Sequence, residues 1–419
     1  MLTRFAALLT LAPSLAMLSG CVARGWGGGK ETRVSEQQVA VALGDGSAQS
    51  EAFSAASLPA IPPPRHVRPC CAFGMDLQVS LGGKRVPGYS TSNIIGVADL
   101  GRHEYDNGPV TLNQDLARLV TVEKNGLVYT CRGGFVDTAH VRDNADTTLF
   151  LTMQIVAALP GPTIVTIDGD GATKRVVLKA VPPELMDPLG RWEVAIMLAQ
   201  WASFQLSIWH EIVTWYGYES FPGFSEKVSA FSLEDLYSNA LGARIAGGLL
   251  RNQRVRTRAD WDDLVPAWIA ASLQRLGALS SDLGRRAMKS VDGRWWDSSK
   301  QLPDWTLVTH RNFELGPRVE PWRLSDVDLP ADPVLAAACS QSPAALPLEI
   351  PEHIGRTAIR DLVSLDFEVK PWAPASFPFA DAKARRVTNA DFARIVETIR
   401  REAQQTFGAG FDRPGEKAH

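Results

Sequence analysis

The stretch that most constrains this chain is residues 190–216, where apolar side chains recur with the helical period over about seven turns. Trp192, Trp201, Trp209 and Trp215 all lie in it, so it reads as a Trp-rich core helix around which the rest must pack. Near its end stand His210 and Glu211, two polar groups in an otherwise apolar and aromatic run. Consecutive helical positions point about 100° apart, so this pair can flank one cleft.

The pattern around that helix predicts an α+β fold, a predominantly helical body with a β-hairpin and short peripheral strands. Residues 77–81 read as a strand before a Gly82-Gly83 turn, and residues 128–159 read mostly as a helix from about Gly134. Residues 163–181 alternate as a hairpin turning at Asp168-Gly169-Asp170-Gly171. That turn lacks the ladder of acids and the closing Glu of a calcium loop. Ser232 and the acids after it look like a capping arrangement for a helix running through Leu250, and residues 258–279 form another. The span 280–387 reads as irregular, with short strands at 305–309 and 362–369. Residues 389–407 are an amphipathic closing helix capped by Thr388 or Asn389.

Upstream of the body the chain carries an address. Arg4 precedes an apolar run, and small residues follow before Cys21, as in a secretory signal peptide. The run is too short for a comfortable membrane span. Leu18-Ser19-Gly20-Cys21 resembles the bacterial lipobox, which implies cleavage after residue 20 and acylation of Cys21. Val22 in place of Asp implies outer-membrane delivery, facing the periplasm. Residues 21–64 read as a lipidated flexible tether, glycine-rich at the start and closed by Pro62-Pro63-Pro64. Residues 65–419 form a single folded body, less regular from about 280.

Charge and cysteines bound the partners. A formal net charge of −3 over 419 residues gives no electrostatic case for nucleic acid. The membrane is met through the N-terminal lipid. With Cys21 acylated, Cys70, Cys71, Cys131 and Cys339 remain for disulfides in an oxidising periplasm. The favoured bridge joins Cys131 to one of the adjacent Cys70–Cys71 pair. No Cys-x-x-Cys pair exists, which argues against a thiolate zinc site.

Two polar blocks carry the candidate chemistry. On a helix, Asp137, His140 and Asn144 fall at spacings of three and four and share a face, with Asp143 also near His140. Asp235 and Asn239 share a face of the helix after Ser232. His210-Glu211 opens like the His-Glu-x-x-His helix of zinc peptidases, but Thr214 stands where the second histidine ligand would be. An ordinary site of that type is therefore not expected. The metal ligands expected are His140, His210, Asp137 and Asp235, around a divalent ion such as zinc. Glu211 is expected as the general base or, alternatively, as a carboxylate ligand. Cys131 with Gly133, Gly134 and Phe135 resembles the Cys-Ser-Gly-Phe motif of cell-wall cysteine peptidases of the NlpC type, but His140 is too close in sequence to serve that cysteine. His103 and His310, among charged neighbours, read as solvated loop residues.

The blocks RPCCAFG (68–74), GFVDTAHVRDNAD (134–146), WHEIVTWYG (209–217) and SAFSLEDLYSNALG (229–242) resemble a family of bacterial lipoproteins of unknown function. The resemblance implies an envelope protein in which these blocks belong together, and it supplies no activity. Two functions fit. One is a metal-assisted hydrolase acting in the cell envelope on a peptide, lipid or glycan. The other is a non-catalytic envelope lipoprotein whose Trp-rich surface and polar cleft bind a protein partner or a glycan.

Replacing Cys21 by Ser should move the protein from the membrane fraction to the soluble periplasmic fraction. Fractionation of a folded Cys21→Ser variant checks this, and retention on the membrane refutes the lipid anchor.

Overall fold

The computed structural model describes residues 34–45 and residues 61–416, except 65–66, 69–70, 82–83, 92, 107–122, 188, 220–224, 253–254, 328–331, 343, 380–382 and 384. Among the described residues helix accounts for 45% and strand for 16%, so the α+β, mostly helical expectation holds. The order opens with α1 (Glu36–Leu43), the hairpin β1 (Leu77–Leu81) and β2 (Lys84–Thr91), and a second hairpin β3 (Leu127–Thr130) and β4 (Gly134–Asp137). Next come α2 (Thr138–Ala158), a third hairpin β5 (Thr163–Gly169) and β6 (Ala172–Leu178), and a short α3 (Pro183–Met186). The central helices are α4 (Gly190–Trp215), α5 (Asp235–Asn252) and α6 (Arg258–Arg275).

Helices α2, α4 and α5 pack on one another and form the middle of the main apolar core. α4 is buried along nearly its whole length from Val194. No helix among the described residues is long and apolar enough to cross a membrane. α5 is buried on all sides, and small residues let its neighbours come close. At Gly242 a Cβ would lie 2.3 Å from the Val141 carbonyl oxygen and 2.9 Å from Asn144 Cβ. No real side chain fits there, so the α5 backbone rests directly on the second turn of α2.

A four-stranded antiparallel sheet lies beside α4, in the order Arg386–Thr388, Val363–Val369, β6, β5. The β5–β6 register closes on Gly169 opposite Ala172, leaving Asp170 and Gly171 as the two turn residues. Both have positive φ, 46° and 65°, as a two-residue hairpin that matches strand twist requires. Trp209 of α4 stacks on Phe367 with ring centroids 4.4 Å apart. Its indole N–H donates to the Asp170 carbonyl at 3.1 Å. These two contacts pin the hairpin turn beside His210.

Several expectations need correction. Residues 36–43, read as tether, form a helix with a Ser35–Gln38 capping box, and bury Val39, Ala40, Ala42 and Leu43 against α5 and α6. Their small apolar residues at helical spacing are a buried face, disguised by a polar composition. Ile61 is also buried, and Tyr105 Oη donates to the Pro62 carbonyl at 2.7 Å. Cys21 and the glycine-rich start of the expected tether lie outside the described residues. The helix expected from about Gly134 begins only at Thr138, because residues 127–137 pair as a hairpin. Residues 305–307 form a 3-10 turn rather than a strand, and Ser281–Ser290 is helical.

Cys131 sits in the β3–β4 turn and is bonded to Cys339, with Cα atoms 5.3 Å apart. The favoured pairing of Cys131 with Cys70 or Cys71 is thus not the one found, and Cys131 has no thiol to serve as a nucleophile. Cys70 is outside the described residues. The Cys71 thiol hydrogen-bonds Asp137.

Gly242→Ala should destabilise the fold by about 1–3 kcal/mol, because the added methyl meets backbone that must move. Elsewhere in a helix the same change stabilises by up to about 1 kcal/mol. Urea unfolding gives the sign directly.

Candidate functional site

His140 lies in the first turn of α2, and the local sequence explains its pose. Asp137 is the N-cap: Oδ1 accepts from Ala139 N–H at 2.7 Å and Oδ2 from Cys71 N–H at 3.0 Å. Its own N–H donates to Ser238 Oγ at 2.9 Å. Asp137 therefore spends both carboxylate oxygens on backbone donors, and the expected ligand role does not fit its geometry. What it does is aim the start of α2, and with it His140, at the start of α5.

α4 supplies Glu211 and α5 supplies Asp235. One ligand atom each from His140, Glu211 and Asp235 lies within 4.8 Å of the others, and all three residues are buried. His140 Nε2 is 3.3 Å from Asp235 Oδ1. Glu211 Oε2 accepts from the N–H of Phe231, a residue held at φ 53° in the tight turn before α5. Glu211 Oε1, Asp235 Oδ2 and Glu234 Oε1 are buried and have no hydrogen-bond partner among the described residues. Burial pushes the Asp235 carboxyl up to about 8, and the neighbouring Glu211 adds to this while His140 opposes it. Glu234 is raised well above its ordinary value by burial and by Asp235.

The charge that faces these acids is Arg311, which is wholly buried. Its guanidinium donates to the carbonyls of Val228, Ala230, Trp305 and Val308 at 2.8–3.1 Å. Burial lowers it to about 10, against the upward pull of Asp235, Glu234 and Glu211. His310, read as a solvated loop residue, is 0% exposed like Arg311, and its Nε2 meets the Glu416 carbonyl at 2.9 Å.

A cleft reaches this cluster from one side. His140, His210 and Asn239 line it, while Glu211 and Asp235 lie behind His140, outside the lining. His210 does not join the three converging groups. Its ring centroid is 6.1 Å from that of His140, and its Nδ1 is 3.4 Å from Asp170 Oδ1. Asp170 also pairs with Lys174. Burial would raise Asp170, but Lys174 and His210 overcome it and hold the carboxyl well below its usual range. Asp170 was legible only as a turn residue, since nothing in the sequence says the turn folds onto α4.

Asp143 and Asp146, which also line the cleft, belong to a second buried network that sequence reasoning missed. Arg68 contacts Glu123 at 2.6 Å, Asp143 at 2.7 Å and Asp146 at 3.0 Å. His103 lies between Glu123 and Asp146 at 3.1 and 2.9 Å, and Arg142 reaches Glu123 at 3.2 Å. Asp146 also accepts from the Trp261 indole at 2.8 Å. His103, expected in solvent, is 4% exposed. The one available signal was an unusual density of charge at 142–146, beside apolar positions that had to be buried.

Residues 58–325 match the model of a family described as a protein of unknown function, DUF4056, and the chain belongs to that family. Comparison with curated proteins and with solved structures gives no match.

The second network should give stability a characteristic pH dependence. Burial raises Glu123 and Asp146, but Arg68 and His103 overcome it and both carboxyls end below their usual range. Their contribution is present above the unfolded value of about 4 and is lost on acidification through the folded values. Burial lowers His103, but Asp146 and Glu123 overcome it and raise the imidazole. Its contribution is complete below about pH 6.5 and is lost as pH rises through the raised folded value. The difference in unfolding free energy between wild type and His103→Gln should therefore be largest at about pH 5–6.5 and shrink on the alkaline side. Urea titrations from pH 4 to 9 measure it; a difference that grows above pH 7 contradicts the assignment.

Proposed function

We propose that this member of the DUF4056 family is a metal-dependent hydrolase of the cell envelope, with His140, Glu211 and Asp235 as the ligands of one divalent ion. Three buried ligand atoms carry the assignment. They converge from three helices, and one oxygen of each carboxylate, Glu211 Oε1 and Asp235 Oδ2, has no hydrogen-bond partner among the described residues. Leaving such acceptors buried and unpaired costs about 1–3 kcal/mol each, which a bound cation offsets. The separation of His140 Nε2 and Asp235 Oδ1, 3.3 Å, is that of two ligands on one tetrahedral zinc, roughly 3.3 Å for bonds near 2.0 Å.

The roles differ from those first expected. Of the two roles expected for Glu211, ligand is the one taken here, since it lies outside the cleft lining and converges with His140 and Asp235. His210 moves from ligand to proton carrier. It lines the cleft, and Asp170 Oδ1 lies against its Nδ1. The ion, when bound, lowers the pKa of a coordinated water and polarises the bond to be cleaved. The water oxygen then adds to the electrophilic centre, and His210 carries the water proton to the leaving group. A purely structural network would have its acids paired internally, which Glu211 Oε1 and Asp235 Oδ2 are not.

The Cys131–Cys339 bridge supports an extracytoplasmic address, since such bonds persist in oxidising compartments. Outer-membrane anchoring through Cys21 completes the proposal.

Protein stripped with chelator and titrated with Zn²⁺ or Co²⁺ should take up one equivalent. His140→Ala and Asp235→Asn should each weaken it by about 100-fold or more. Zinc at about a hundred times its Kd should add ~2.7 kcal/mol to unfolding stability in the wild type only. Absence of stoichiometric binding, or variants that bind as wild type does, would overturn the proposal.

A further inference from the structure

Asn239 stands one helical turn after Asp235 on α5 and lines the cleft beside His140 and His210. It is 1% exposed. A relay of side chains fixes its amide: Ser203 Oγ donates to Asn144 Oδ1 at 2.8 Å, and Asn144 Nδ2 donates to Asn239 Oδ1 at 2.5 Å. The amide oxygen is thereby turned away to Asn144, and the NH2 group is what remains. Asn239 Nδ2 has no hydrogen-bond partner among the described residues. A buried donor held in one orientation at the floor of an open cleft fits an oxygen that arrives with a ligand.

The charges of the cleft decide what kind of oxygen. Asp143 and Asp146 in its lining are paired with Arg68, and Lys174, the one lysine or arginine among the lining residues, is paired with Asp170. A phosphoryl group or a carboxylate would find no unpaired lysine or arginine among the lining residues. Ile167 and Leu206 supply apolar wall. We infer that the substrate is an uncharged or cationic amide or ester, and that Asn239 Nδ2 donates a hydrogen bond to its carbonyl oxygen as negative charge develops there. The inference rests on the hydrolase reading above. In the reaction the water oxygen bonds to the carbonyl carbon and the carbon–nitrogen or carbon–oxygen bond breaks. His210 delivers the water proton to the departing nitrogen or oxygen, and the products are a carboxylic acid and an amine or alcohol. Asn239 exchanges no proton; it orients the carbonyl and stabilises its oxygen.

Co²⁺-loaded full-length protein, titrated with acetohydroxamate and followed by its visible spectrum, tests the inference without a known substrate. Asn239→Ala and Asn239→Asp should each retain the Co²⁺ spectrum and bind acetohydroxamate about tenfold more weakly, the size of one well-placed hydrogen bond. The Asp variant keeps an acceptor for Asn144 Nδ2, so it separates loss of the donor from loss of the fold. Glycine hydroxamate, which carries an ammonium, should bind at least as well as acetohydroxamate. Succinic monohydroxamate, which adds a carboxylate, should bind at least about fivefold more weakly. Equal acetohydroxamate affinity in wild type and both variants overturns the role of Asn239 and leaves the metal site standing. Tighter binding of the succinic compound overturns the substrate class. Failure of the wild type to take up Co²⁺ overturns the hydrolase reading, and this inference with it.

Discussion

The contact on which the rest of this structure depends is a helix backbone pressed against another helix with nothing between them. At Gly242, α5 rests on the Val141 carbonyl and on Asn144 of α2. That approach sets the spacing of the two turns before it on α5. Asn239 reaches Asn144, and Asp235 reaches His140, only because the two axes are so close. α4 then closes the third side, bringing Glu211 to the pair and Ser203 to Asn144. A bulkier seam would leave the same residues on the same helices and no cluster between them.

Putting this many ionisable groups indoors needs compensation, and the molecule supplies it in two ways. The network around Arg68 is paired almost completely, with each buried carboxylate facing a cation at hydrogen-bond distance. Breaking such a pair costs more than the pair contributes, because the remaining charge stays buried alone. The cluster around Asp235 is different. Arg311 faces it through space but gives its hydrogen bonds to carbonyls, so the acids keep unpaired oxygens. One region is satisfied by its own side chains, and the other keeps carboxylate oxygens with no hydrogen-bond partner among the described residues. That contrast is the physical reason for placing an ion at the second and none at the first.

Much of this was legible along the chain. The α4 helix, the β5–β6 hairpin, α6 and the closing helix follow from periodicity and turn residues. The meeting of the block at His140 with those at Glu211 and Asp235 follows from isolated polar groups in apolar helices, which need each other. What was not legible depends on tertiary placement. Asp137 looks like a face-sharing ligand until the helix is seen to start at Thr138, which makes it a cap. His103 looks solvated until Glu123, distant in sequence, packs over it. Asp170 is a turn residue by every local rule, and its second task comes only from the docking of the hairpin on Trp209. Four cysteines allow several pairings, and no local rule selects Cys339 for Cys131.

The Cys131–Cys339 bridge spans a sequence separation of 208, and His140, Asp170, His210, Glu211, Asp235, Asn239 and Arg311 all fall inside the ring it closes. The whole candidate site is therefore enclosed by one covalent loop. A protease that cuts the chain once between the two cysteines opens the ring without releasing a fragment, and the severed halves stay tethered at full local concentration. Against single nicks in a proteolytic compartment, the bond gives this site a form of redundancy that packing alone would not.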